Sequence, residues 1–84
     1  MNDKSVSFQS DDDSRFIPKS YPKSELALLY FPDSTPHVAL NHLSQWIKRC
    51  PELVEDLARC HQSRFAKYYS KESVKLITRY LGEP

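Results

Sequence analysis

Prolines divide this sequence into short segments, and a single glycine, Gly82, adds almost no other break. Pro22, Pro36 and Pro51 each precede a run in which apolar residues recur at helical spacing. Proline is favoured in the first turn of a helix because the amide hydrogen that it lacks would have no partner there. The three prolines therefore predict three helix starts. The near absence of glycine excludes phosphate-binding loops and dinucleotide fingerprints.

The first predicted helix covers Lys23–Tyr30, and its apolar stripe is formed by Leu26, Leu29 and Tyr30. Its first turn holds a glutamate, which the positive end of the helix dipole favours. Pro32 cannot continue this helix, so a turn is predicted to follow it.

The strongest helical pattern in the chain follows Thr35. The Thr35 hydroxyl is predicted to cap this second helix, with Pro36 at the first helical position. The predicted buried face is formed by Ala39, Leu40, Leu43, Trp46 and Ile47. Because Trp46 lies on this face beside aliphatic residues, we interpret it as an anchor of the core.

Pro51 opens the third predicted helix, which is followed by a loop at residues 61–69 that shows no clear period. The inward residues of the helix are predicted to be Leu53, Val54, Leu57 and Cys60. Three aromatic residues are expected to pin the loop to the core, namely Phe65, Tyr68 and Tyr69.

Ser70 is predicted to cap a fourth helix that ends at Gly82. Its apolar face is formed by Val74, Ile77 and Leu81. Four short helices without a convincing strand predict an all-α domain, a compact helix-turn-helix-like bundle. We assign residues 16–84 to this single domain. Residues 1–15 are rich in serine and aspartate, and they predict a flexible acidic tail.

Composition restricts the classes of function. No run approaches the ~18 apolar residues of a membrane-spanning helix, and no secretory signal follows Met1. Cys50 and Cys60 are too few for the disulfide framework of a small secreted domain, so reduced thiols and a cytoplasmic location are expected. A core this small leaves little room for a substrate cleft, and no carboxylate pair stands out, so we do not expect an enzyme.

Metal and cofactor sites are not expected either. The side chains that bind soft metals are His37, His42, Cys50, Cys60 and His61. Structural zinc sites use paired ligands at short spacing, such as two cysteines with two residues between them. None of these five residues has that spacing.

The first two predicted helices resemble a helix-turn-helix unit, with Ala27 as the small residue at their contact and residues 31–35 as the turn. This turn is longer than the compact form and contains no glycine. In such a unit the outer face of the second helix enters the major groove of double-stranded DNA. The residues of that face are Thr35, His37, Asn41, Ser44, Gln45 and Lys48.

These side chains suit distinct contacts with DNA. Asn41 or Gln45 would pair with adenine, and Lys48 would meet guanine or a phosphate. The Thr35 hydroxyl and the helix N-terminus would hold a phosphate. The alternative is an ordinary solvated face on a helical hairpin, because resemblance to a fold does not establish a function.

A second basic surface is predicted on the fourth helix, where Lys71, Lys75 and Arg79 recur every four residues. A row of cations follows a phosphate backbone and gives binding that depends on salt but not on base sequence. The outside of a small helix must be polar in any case, and this alternative explains the lysines equally well.

The competing hypothesis is a protein–protein adaptor or small homodimer that makes no contact with DNA. Its contacts would be exposed aromatic residues such as Tyr21, Tyr68 and Tyr80. The position of the cations distinguishes the two hypotheses. Cations clustered on one surface favour DNA, whereas cations dispersed around an exposed apolar patch favour a protein partner.

Several motifs together resemble a small bacterial family known only as a domain of unknown function. They are the ELALLYFPD segment from Glu25, the centre that runs from Trp46-Ile47 to CPEL at Cys50, and the terminal LGEP. The resemblance covers about Phe16 to Pro84. It implies that the gene lies near genes of mobile elements, including genes for a histone-like DNA-binding protein and a cell-wall amidase. It implies no catalytic residue.

The chain departs from that family at two places. Pro22 stands where the family usually has serine, threonine or glycine, and a glycine–tyrosine pair is usual near Cys60 and His61. The second departure predicts a difference in the loop after the third helix.

Overall fold

A computed structural model describes residues 16–84, and the tail predicted for residues 1–15 lies outside the described part. The elements in chain order are β1 (Tyr21–Pro22), α1 (Lys23–Tyr30), α2 (Pro36–Lys48), α3 (Pro51–Arg59), β2 (Tyr68–Tyr69) and α4 (Lys71–Leu81). The two short strands pair antiparallel, with Tyr21 opposite Tyr69. The prediction of an all-α bundle of four short helices is confirmed, with this minor strand pair as an addition.

The helix boundaries follow the predicted punctuation. The Thr35 hydroxyl accepts a hydrogen bond from the Val38 amide at 3.3 Å, with Pro36 as the first residue of α2. The Ser70 hydroxyl accepts one from the Ser73 amide at 3.2 Å at the start of α4. These bonds satisfy amides that a helix N-terminus otherwise leaves without a partner. Gly82 ends α4 with a φ of 88°, a conformation that glycine adopts readily.

The core lies where α1 and α2 meet and where α3, α4 and β2 close over them. Ala27 of α1, the small residue predicted at the contact with the second helix, is fully buried, and α1 packs against α2. The buried apolar residues are Leu26, Ala27, Ala39, Leu43, Ile47, Leu53, Leu57, Tyr69, Val74 and Ile77. All four helices contribute to this cluster, so none of them is an independent unit.

Three residues predicted to be buried are exposed instead. Leu29, Val54 and Trp46 expose 45%, 43% and 39% of their surface. Each lies at the edge of a short helix whose partners cover only the centre of its apolar face. Trp46 is therefore not a core anchor; its ring packs edge-on against Phe31 in the turn after α1, with centroids 4.7 Å apart.

The loop between α3 and α4 also differs from the prediction. Phe65 is 81% exposed and Tyr68 is exposed, so neither pins the loop to the core. Only Tyr69 does so. Successive side chains of a strand point to opposite sides, and pairing of β2 with β1 turns Tyr69 inward and Tyr68 outward.

The end of α3 holds this loop in place through a hydrogen-bonded helix terminus. The amide of Gln62 donates to the Leu57 carbonyl at 3.1 Å, and the amide of His61 donates to the Ala58 carbonyl at 3.0 Å. This pair of bonds is the Schellman motif, in which the first residue after the C-cap adopts a left-handed conformation. His61 is that residue, with a φ of 61°. Cys60, predicted to face inward, is half-buried, and both thiols are free.

Candidate functional site

The outward residues predicted for α2 form one polar stripe along this helix. His37, Asn41, Gln45 and Lys48 are exposed, and Ser44 is half-buried. At 3.6 residues per turn the five side chains occupy an arc of roughly 100° on the side away from the core. No residue of α2 is acidic. We call these five residues the α2 stripe.

Some of the side chains predicted to contact DNA at α2 already make contacts inside the protein. The hydroxyl of Thr35 accepts a hydrogen bond from the first turn of α2, although Thr35 is exposed. The Asn41 amide nitrogen lies 3.5 Å from Nε2 of His37, one turn earlier on the same face. Gln45 and Lys48 make no hydrogen bond or ion pair with another described side chain.

The three cations predicted on α4 lie together on its exposed side. Lys71, Lys75 and Arg79 are exposed, on the face of α4 that is turned away from Val74 and Ile77. Within residues 16–84 none of the three forms an ion pair. Arg59 of α3 contrasts with them, because its guanidinium lies 2.9 Å from the Asp56 carboxylate. We call the three cations the α4 row.

The α2 stripe and the α4 row lie on different helices, and no hydrogen bond or ion pair of the described side chains joins them. Both consist mostly of exposed residues. The residues that the sequence predicted for two DNA-binding surfaces thus lie on two different helices, α2 and α4. Within each set the side chains lie next to one another, as expected for residues three and four apart on a helix.

An open apolar groove of about 460 Å³ lies between α2, α3 and the loop after α3. Its lining residues are Lys23, Leu40, Ser44, Ile47, Lys48, Val54, Leu57, Ala58, Gln62, Ser63, Arg64 and Tyr69. Three of these residues are cationic and none is acidic. Ser44 and Lys48 belong both to this groove and to the α2 stripe.

Lys23 connects α1 to the loop at one side of the groove. Its ammonium group donates to the carbonyls of Ser63 at 3.1 Å and Arg64 at 3.3 Å. The same ammonium lies 5.2 Å from the centre of the Tyr69 ring. Burial lowers the pKa of Lys23, and it raises the pKa of Tyr69 to about 12.

Sequence reasoning missed this groove because its three cations come from distant segments. Lys23 begins α1, Lys48 ends α2, and Arg64 lies in the loop after α3. These three cations line the same groove only because α2 packs against α3 and because the loop after α3 is anchored. Of the three cations, only Lys48 belongs to the outward face that the sequence predicted for α2.

Residues 16–84 show no group of three metal-binding side chains close enough to hold an ion. No helix in this part of the chain is both long and apolar enough to cross a membrane.

Comparison with known proteins identifies a family but no function. No curated protein and no solved structure matches the chain significantly. The family described as "Domain of unknown function (DUF4248)" matches residues 17–84. This range agrees with the domain described above, from the residue after Phe16 to the end of the chain. The chain therefore belongs to this family of domains of unknown function.

Proposed function

We propose that the protein is a DNA-associated accessory or regulatory module that binds but does not catalyse. The observation that supports this proposal most is the α4 row, three exposed cations at helical spacing without an acidic partner among the described residues. Cations in this arrangement match the charge and repeat of a phosphate backbone. Their contribution is expected to be sequence-independent and to weaken as salt rises.

The α2 stripe supplies the groups for reading bases in this proposal. Gln45 and Asn41 carry amides that match the hydrogen-bonding edge of adenine, and Lys48 suits guanine or a phosphate. α2 rises about 20 Å over its 13 residues, and its lack of acidic residues avoids repulsion from DNA.

A titration of labelled mixed-sequence duplex DNA, followed by fluorescence anisotropy, tests the proposal. We expect binding at ~50 mM salt that weakens steeply towards 200 mM. The variant Lys71→Gln/Lys75→Gln should reduce the salt slope by nearly two, since each phosphate contact contributes about 0.9. The matched control Lys19→Gln/Lys67→Gln removes the same charge outside the α4 row. Absence of binding at low salt, or equal losses in both variants, would overturn the proposal.

One observation favours a second candidate function, the binding of a protein partner. Lys23, Lys48 and Arg64 line an apolar groove, and Val54, which also lines it, is exposed. An apolar centre with a polar rim is the usual composition of a protein interface. Of the three aromatic residues first expected to make such contacts, Tyr68 is exposed. The other two fit less well, because Tyr80 donates a hydrogen bond to Asp56 and Tyr21 stacks on Phe16.

A further inference from the structure

We infer that the groove between α2, α3 and the following loop binds a short acidic segment of a partner protein through an apolar side chain flanked by carboxylates. This inference rests on the second candidate function, and the groove shares Ser44 and Lys48 with the α2 stripe of the DNA-binding proposal. It concerns the chemistry of the occupant, which the shape and charge of the groove determine together.

The floor of the groove selects an apolar side chain. It is formed by aliphatic groups from two helices, with Leu40 and Ile47 on α2 and Val54 and Leu57 on α3. A volume of about 460 Å³ is within the range of ligand sites, ~300–1,000 Å³. Burying one large aliphatic or aromatic side chain there would remove apolar surface of both partners from water.

The rim of the groove selects negative charge beside that side chain. Lys23, Lys48 and Arg64 lie at the opening, and no lining residue is acidic. Neither Lys48 nor Arg64 forms an ion pair with any acidic residue in the described part of the chain. Charge complementarity of this kind accelerates association and rejects partners of the same sign.

Two of the three cations, Lys23 and Arg64, are held by different contacts. Lys23 is held by two carbonyls, so its charge is fixed in position. Arg64 lies over the exposed ring of Phe65, with the guanidinium carbon 5.1 Å from the ring centre. Arg64, which lines the groove, and the exposed ring of Phe65 therefore offer a cation and an apolar surface side by side, the combination that an acidic amphipathic segment matches.

DNA suits this groove less well than the α4 row. A phosphate backbone offers charge but no aliphatic group to fill the floor formed by Leu40 and Val54. Occupation by DNA would leave that apolar surface uncovered. A partner that supplies both an apolar anchor and carboxylates satisfies the floor and the rim together.

Selection from a phage-displayed random peptide library, with the full chain as bait, tests the inference. We expect enriched peptides to carry a leucine, phenylalanine or tryptophan with aspartate or glutamate within a few residues. The variant Lys48→Glu/Arg64→Glu should weaken binding of a selected peptide by at least about tenfold. The variant Lys71→Glu/Lys75→Glu makes the same charge change outside the groove and should bind like the parent.

A second pair of variants tests the apolar floor without a change in charge at the rim. Val54→Gln should weaken the selected peptide, whereas Glu55→Gln, at the next position of α3, should not. Circular dichroism of each variant verifies that it is folded.

Several outcomes would overturn the inference. The inference fails if the parent bait enriches no peptides or if the enriched peptides carry no acidic residues. It also fails if a selected peptide binds the variant Lys48→Glu/Arg64→Glu as tightly as the parent. Peptides without acidic residues that still lose affinity with Val54→Gln would leave the partner-binding function intact and reject only the acidic chemistry. If peptides are enriched with the variant bait Asp11→Asn/Asp12→Asn/Asp13→Asn but not with the parent, the chain's own aspartates are the ligand of the groove. A dimer that Lys48→Glu/Arg64→Glu dissociates would assign it to a second copy.

Discussion

The side-chain oxygen of Gln62 accepts a hydrogen bond from the hydroxyl of Ser73 at 2.7 Å, and Ser73 has no exposed surface. The same oxygen accepts a bond from the Ser70 amide at 3.1 Å. The amide nitrogen of Gln62 donates to the Tyr68 carbonyl at 2.9 Å. One glutamine therefore connects the end of α3, the strand β2 and the first turn of α4. It also lines the groove, so the wall of the groove and the start of α4 depend on the same side chain.

Replacement of this glutamine should be costly. Gln62→Ala removes the acceptor of the buried Ser73 hydroxyl and of the Ser70 amide and the donor to the Tyr68 carbonyl, and a buried polar group that loses its partner costs about 1–3 kcal/mol. We expect the free energy of unfolding in urea to fall by about 2 kcal/mol. Gln45→Ala is the matched control, because Gln45 is exposed on α2, and it should change stability by less than ~0.5 kcal/mol. Equal effects of the two substitutions would contradict the role assigned to Gln62.

The left-handed residue at the end of α3 predicts a stabilising substitution. His61 has a φ of 61°, where a side chain is unfavourable and glycine is not. His61→Gly should raise the free energy of unfolding by up to about 1 kcal/mol. His61→Ala retains a Cβ and should give no such gain. Chemical denaturation of both variants measures the difference, and a gain with alanine as large as with glycine would refute the backbone explanation.

Two leucines of α1 provide a test of the core. Leu26 is fully buried and Leu29 is 45% exposed, although both were predicted to lie on the buried stripe. Leu26→Ala should cost about 2–5 kcal/mol, a large part of the ~3–5 kcal/mol expected for so small a core. Leu29→Ala should cost less than ~1 kcal/mol. Thermal unfolding followed by circular dichroism distinguishes them, and the reverse order would show that α1 is rotated.

Stability should fall at alkaline pH because of Tyr69. Burial raises its pKa from 10.0 to about 12, so the folded chain retains the phenol proton longer than the unfolded chain. The contribution is complete below pH 10 and is lost as the pH rises from 10 towards 12. The loss amounts to about 2 kcal/mol at the upper end. The pKa of Tyr30 is also raised to about 12 and acts in the same direction.

Tyr69→Phe separates the two tyrosines. We expect this variant to show a smaller decrease of unfolding free energy between pH 10 and 12 than the parent chain, measured by urea denaturation at each pH. Lys23 has a lowered pKa and acts in the opposite direction, but it is present in both proteins. Parallel pH profiles for parent and variant would show that Tyr69 does not titrate as its burial implies.

The sequence predicted the helices well because their boundaries depend on local chemistry. Pro36 and Pro51 lie at the first positions of α2 and α3, and the hydroxyls of Thr35 and Ser70 act as caps. These signals operate within three or four residues, so no knowledge of the partner elements is needed.

Burial of individual side chains was predicted less well because it depends on the partner elements. The periodicity of α2 places Trp46 beside Ile47, but only the position of α1 determines that Trp46 lies at the edge, against Phe31. The same reasoning applies to Val54, which faces the groove instead of a helix. The groove itself is formed by segments that are distant in sequence, and no local pattern reports such a meeting.

An NMR titration of the ¹⁵N-labelled full chain with duplex DNA at ~50 mM salt tests the central claim most directly. We expect amide shifts to concentrate on the α2 stripe and along Lys71–Arg79, and to vanish as salt screens the phosphates. The exposed acidic side of α3, at Glu52 and Glu55, should remain unchanged. Absence of shifts at low salt, or shifts confined to α3, would contradict DNA binding by these two surfaces.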